Sequence, residues 1–184
     1  DMIEKSRNAD KPIQENNIEP QLSHHGKWML KQIEDNNFTI LPSYLVTYSY
    51  PAVIVTALND KKQDVLNSVN YLINKPVWLH AVQLIQGLKH QGLQWPELDA
   101  ILNDIKTPCI KYMLRVFKSM EYEKDDLEYI VKIVKSLKKS GVDWPELKII
   151  NDTAETELDR IPPEEEEEEY DEPDDDYHGY RYNY

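Results

Sequence analysis

Apolar residues recur at helical spacing along most of the chain, with polar residues between them. The clearest stripe is Leu127, Ile130, Val134 and Leu137, within a run from Asp125 to Lys139. Asp125, Asp126 and Glu128 lie at its N-terminal end and Lys135, Lys138 and Lys139 at its C-terminal end. Each group opposes the local partial charge of a helix dipole, so this is the best-marked helix of the sequence. The same spacing predicts helices over Leu22–Asn36 (Trp28, Leu30, Ile33), over Asp64–Ile73 (Val65, Leu66, Val69, Leu72) and from Pro76 through Leu84 and Leu88. Pro42–Tyr48 reads as a short helix or turn. The β-branched run Pro51–Leu58 would suit a strand, but no second strand exists to pair with it, and Pro51 suits a helix start. Pro96–Ile105 is expected to be a short helix. Thr107-Pro108 is expected to cap and start another through Met120, with Ile110, Met113, Leu114 and Phe117 on its apolar face. A last helix, Pro145 to about Glu157, loses its stripe after Ile150. Proline recurs as a helix starter, so the pattern predicts an all-α array of about seven to nine short helices.

Two stretches of that pattern are copies. Gly92-Leu93-Gln94-Trp95-Pro96-Glu97-Leu98 returns 49 residues later as Gly141-Val142-Asp143-Trp144-Pro145-Glu146-Leu147. Across 84–98 against 133–147, seven of fifteen residues are identical, which points to internal duplication of a helix–turn–helix unit. Gly92 and Gly141 suit the left-handed residue that ends a helix, and Leu93 and Val142 the apolar residue that folds back on the last turn. Pro96 and Pro145 suit a first helical turn, and Asp143 with Glu146 has capping-box spacing. Trp95 and Trp144 are read first as plugs between the two helices of each unit, with the indole N–H meeting a carbonyl. A degenerate third copy runs from Trp28 to Leu45, with Asn37 in the glycine position and one extra residue before Pro42. Repeat hinges are therefore expected near 36–45, 91–98 and 140–147.

Charge separates the ends from the middle. The 184 residues carry a net charge of −13, and the fifteen Asp/Glu and two Arg from Asp152 onward account for all of it. A balanced body argues against a basic nucleic-acid reader, so direct nucleic-acid binding is not expected. The polar stretch 1–20 reads as a flexible arm, 21–157 as the helical repeat domain and 158–184 as a disordered acidic and aromatic tail. In that tail Glu164, Glu165, Glu166, Glu167, Glu168, Glu169, Asp174, Asp175 and Asp176 supply charge, and Tyr170, Tyr177, Tyr180, Tyr182 and Tyr184 supply rings. With one cysteine, no membrane-length apolar run and no signal-like apolar core near the start, a soluble, intracellular protein is expected.

Candidate chemistry is sparse. Cys109, near a predicted helix start, would be a nucleophile only if the helix dipole lowered its pKa; a small apolar filler is the favoured reading. His24-His25 lacks ligand partners at metal spacing and reads as a helix-start linker. Lys132, Lys135, Lys138 and Lys139 form a basic face that is expected to be solvated. No phosphate loop, zinc spacing or nucleophile elbow is present, so no enzyme, metal or cofactor is expected. The Gly-Φ-x-Trp-Pro-Glu-Leu hinge resembles short stretches of small phage proteins, a likeness that implies no function. The expected role is an adaptor or assembly protein whose body holds a protein partner and whose tail contacts a basic, for instance nucleic-acid-binding, protein. Two alternatives stand beside it: an inhibitor whose tail mimics nucleic-acid charge and stacking, and an enzyme using Cys109.

Overall fold

The computed structural model describes residues 22–119 and 121–162. The predicted arm 1–20 and the tail from 163 onward lie outside the described residues. Among those described, the chain forms eight α-helices and no strand. In order they are α1 (His24–Glu34), α2 (Pro42–Thr47), α3 (Ala52–Asp60), α4 (Lys62–Asn74), α5 (Trp78–His90), α6 (Pro96–Ser119), α7 (Lys124–Lys139) and α8 (Glu146–Arg160). A 3-10 turn, Phe38–Ile40, precedes α2. The β-branched run is indeed helical in α3, burying Ile54 and Leu58.

Three helices end in the same cap, and it carries the repeat. At the end of α5 the Gly92 amide donates to the Lys89 carbonyl at 2.9 Å and the Leu93 amide to the Leu88 carbonyl at 3.1 Å. At the end of α7, Gly141 reaches Lys138 at 3.0 Å and Val142 reaches Leu137 at 3.1 Å. This is the Schellman pair of bonds, with both glycines at positive φ, 84° and 87°. The end of α1 repeats it one residue earlier than the sequence pattern places it. Asn36, not Asn37, takes the left-handed conformation at φ 59°, and the Asn36 and Asn37 amides bond to the Ile33 and Gln32 carbonyls. Asn37 occupies the position of Leu93. Its side-chain amide donates to the Gln32 side chain at 2.9 Å, a polar link where the other copies place an apolar contact.

Two expectations about helix starts need correction. The Asp143/Glu146 capping box does not form: α8 has no side-chain cap. Such a contact occurs at α7 instead, where the Glu123 amide donates to the Asp126 carboxylate at 3.1 Å. The expected pair of short helices around Thr107-Pro108 is one helix of 24 residues, with Pro108 inside it. Leu98, Leu102, Ile105, Cys109 and Met113 form an unbroken buried stripe through the proline. Continuous apolar phase on both sides keeps α6 helical through a residue that forfeits the bond its amide would make to the Asp104 carbonyl. Because Pro108 is exposed, Pro108→Ala should restore that bond with no loss of packing. Chemical denaturation should then show a gain of about 1–3 kcal/mol.

Helix α5 is the centre of the body, packed between α2 and α7, with α4 against it and α8 against α7. Its contact with α2 is the most extensive between helices among the described residues. Gly87 of α5 is buried, and a Cβ built there falls within clashing distance of the Leu45 Cβ and 3.1 Å from the Leu45 carbonyl carbon. Gln91, at the C-cap of α5, then satisfies the end of α2. Its side-chain N–H groups donate to the Leu45 and Tyr48 carbonyls at 2.8 and 2.7 Å, and its oxygen accepts from the Tyr50 amide at 3.0 Å. The equivalents of Gly87 and Gln91 in the second unit are Ser136 and Ser140, both small and buried. The two units are stitched by Lys89, whose ammonium reaches the Asp99 carboxylate at 2.5 Å and the Ser140 carbonyl at 2.8 Å.

The core contains Leu84, Leu88, Trp95, Leu98, Met113, Ile130, Val134, Leu137, Trp144 and Leu147, as the stripes predict. Trp28, Leu30, Ile101 and Phe117 are only half-buried, and Leu114 is 41% exposed. In α6 the buried edge is Cys109 and Met113, so Ile110 and Leu114, one step further round the helix, turn toward the outside.

Candidate functional site

Helix α8 touches α6 near its start and the segment after α6 near its end. The start of α8 meets the middle of α6 at Glu146–Lys106, 3.3 Å apart, and Glu157 near the end of α8 accepts from the Tyr122 hydroxyl at 2.8 Å, three residues beyond the end of α6. Along α6 lies a groove of about 460 Å³, lined by its Lys106, Thr107, Ile110, Lys111, Leu114, Arg115 and Lys118 together with Glu146 of α8. Four cations thus face one carboxylate, and that carboxylate is matched by Lys106. Backbone hydrogen bonding and Lys106 both hold Glu146 below the usual glutamate range. Lys111, Arg115 and Lys118 have no ion-pair partner among the described residues. Leu114 supplies an exposed apolar floor, and Ile149 of α8 is 70% exposed.

Lys111 and Arg115 also line a second hollow on the other flank of α6, with Pro76, Trp78, Pro108 and Tyr112. Behind it Tyr112 lies between Trp78, tilted against it, and Tyr129, T-shaped to it, with centroids 6.4 Å apart in each pair. The Tyr129 hydroxyl accepts the Leu79 amide at 3.1 Å, satisfying an orphan donor at the start of α5. The Trp78 indole N–H is buried without a partner among the described residues. An unmet donor beside a helix N-terminus adds positive potential beneath Lys111 and Arg115.

A separate aromatic cluster joins α1 to α2. His25, half-buried, stacks on Trp28 at 5.5 Å and lies near Tyr44, Tyr48 and Tyr50, with its Nε2 2.8 Å from the Tyr50 hydroxyl. Burial pushes the Tyr50 phenol up to about 12. His25 is therefore a packing residue rather than a linker, while His24 is exposed.

No family model, curated protein or solved structure matches the chain. Its chemistry is read from its own residues alone.

The hinge residues sit where the fold needs them. Trp95 is buried and its indole donates to the Asn59 side-chain oxygen of α3 at 2.9 Å. Lys62 lies 5.7 Å from that ring and 2.8 Å from the Glu97 carboxylate, whose pKa this hydrogen bond lowers. Glu146 makes the corresponding link to Lys106 in the second unit. Pro42 opens α2 and is buried; Pro96 opens α6; Pro145 sits at the N-cap of α8, and Asp143 is exposed. Hinge residues and cationic groove thus share Glu146 but are otherwise distinct.

Cys109 lies in the α6 stripe with no exposed surface, and burial pushes its thiol up to about 12. A nucleophilic cysteine needs accessible thiolate, so this position favours packing. Among the described residues no group of three or more His, Cys, Asp and Glu could hold a metal ion, and no helix is long and apolar enough to cross a membrane. The acidic and tyrosine residues predicted to contact a partner, Glu164–Glu169, Tyr170, Asp174–Asp176, Tyr177, Tyr180, Tyr182 and Tyr184, all lie outside the described residues. Lys111, Arg115 and Lys118 stand at spacings of four and three within the predicted helix from Thr107, the signature of a shared face. The groove stays hidden in the sequence because helical spacing assigns Leu114, beside them, to the core, whereas it is exposed.

Proposed function

We propose that the protein is a non-enzymatic adaptor whose helical body captures an acidic segment of a protein partner in the α6–α8 groove, while its acidic tail engages a basic partner. The observation that supports this reading is the groove itself. Three cations without ion-pair partners among the described residues surround an exposed leucine, on a body whose Lys/Arg and Asp/Glu balance overall. Such a surface steers an acidic chain by long-range attraction and holds it by apolar contact. Burial of Cys109 favours this reading over a cysteine enzyme.

The experiment is capture from the source lysate with three full-length proteins: the natural chain, one with Glu164–Glu169 changed to Gln, and one carrying Lys111→Glu with Arg115→Glu. A partner kept by the tail variant and lost by the groove variant is the expected result. A partner lost only with the tail charges would replace the adaptor by the charge mimic.

A further inference from the structure

We propose that the hollow between the start of α5 and the middle of α6 binds a phosphate monoester carried on a single aromatic ring. The hollow measures about 310 Å³, at the lower end of the range for ligand pockets, so one ring with its head group fills it. Its lining divides by chemistry. Pro76, Trp78, Pro108 and Tyr112 make apolar and aromatic walls, while Lys111 and Arg115 stand about one helical turn apart on α6. Among the described residues no carboxylate lines it, and neither cation has an ion-pair partner. Asp126 is near enough to act on the Tyr112 hydroxyl, but it accepts from the Glu123 amide and does not line the hollow.

Charge selects the head group. Two unmatched cations balance a dianion, and a phosphate monoester carries about −1.5 to −2 at pH 7. A carboxylate would leave one cation unmatched. The Arg115 guanidinium is a fork suited to two phosphate oxygens, and the Lys111 ammonium is a point charge beside it. Trp78 is the second, independent observation. It is 5% exposed, and its indole N–H has no acceptor among the described residues. Buried donors are nearly always paired, so one left over in the wall of a cationic hollow points to an acceptor brought by a ligand. The walls set the rest of the molecule, since prolines and aromatic rings favour a flat apolar body. Lys111 and Arg115 also border the α6 groove, but this site does not rest on the adaptor reading.

The test is a nuclear magnetic resonance titration of the full ¹⁵N-labelled chain with phenyl phosphate, beside inorganic phosphate and benzoate. The chain has four tryptophans, and Trp78→Phe identifies the Trp78 indole signal by its disappearance. Phenyl phosphate should move that signal and the amides of 76–80 and 108–115 saturably. Benzoate, which lacks a charge, and inorganic phosphate, which lacks the ring, should each bind about tenfold more weakly. Lys111→Ala with Arg115→Ala should abolish binding; both side chains are exposed, so the fold is retained. Trp78→Phe should weaken it several-fold, and Leu114→Ser, which borders only the groove, should leave it unchanged. Equal binding of phenyl phosphate and inorganic phosphate would reduce the site to general attraction of anions and overturn the proposal. So would a stationary Trp78 indole signal, binding that survives loss of both cations, or a loss on Leu114→Ser matching that on Trp78→Phe. The peptide Gly-Gly-phosphotyrosine-Gly-Gly then distinguishes the source of the phosphate. Affinity equal to that of phenyl phosphate assigns a phosphorylated tyrosine side chain, and exclusion of the peptide assigns a free compound; both outcomes support the site. Failure here leaves the adaptor reading standing, because Trp78→Phe alters the hollow and Leu114→Ser the groove.

Discussion

Trp95→Ala should cost about 3–5 kcal/mol, the range for deleting a large aromatic from a packed core. The residue is 6% exposed and joins three helices. It opens α6, its indole N–H meets Asn59 of α3, and its ring lies under Lys62 of α4. Truncation leaves a cavity at that junction and removes the hydrogen bond to Asn59, whose exposed amide oxygen can turn to water, so the cavity is the larger penalty. Urea unfolding followed by circular dichroism gives the number. Trp95→Phe separates the terms, since it keeps most of the ring volume and loses only the hydrogen bond. That variant should recover the larger part of the loss.

Gly87→Ala should destabilise the body by about 3 kcal/mol, although alanine is the better helix former by about 1 kcal/mol. The added methyl would press on the Cβ and backbone of Leu45, and α2 would have to move away from α5. Movement of α2 would also stretch the bonds from Gln91 to the Leu45 and Tyr48 carbonyls. For a domain of this size the midpoint of thermal unfolding should fall by about 6–12 °C. Gly92→Ala is the matched control. A Cβ there meets nothing within 4 Å, so only the left-handed backbone is penalised, at about 1–2 kcal/mol. A loss at Gly87 no larger than that at Gly92 would mean that α2 yields to the added methyl and that the α2–α5 contact does not require glycine.

These two positions show unequal legibility in the sequence. Trp95 is visible because it recurs as Trp144 with its glycine and proline at fixed offsets. Gly87 is not, since a glycine inside an amphipathic run looks like a propensity defect until its neighbour Leu45, 42 residues earlier, is known. Duplication offers a trace of it: the aligned residue is Ser136, also small and buried. The upstream cap was misplaced by one residue because Asn36 and Asn37 both tolerate the left-handed turn, and only the backbone bonds choose between them. At Pro108 the rule that proline starts a helix competed with an unbroken apolar phase, and the phase won. Leu114 was assigned to the core on helical spacing, and its exposure is what gives the groove an apolar floor.

The central claim, that the body recognises a partner through the α6–α8 groove, is tested most directly by the affinity of a captured partner for the natural chain and for Lys111→Glu with Arg115→Glu. The account predicts at least a tenfold weaker complex for the reversed groove, about 1.4 kcal/mol, with the helical content of the chain unchanged. Equal affinity for the two chains would contradict it and place recognition elsewhere on the protein.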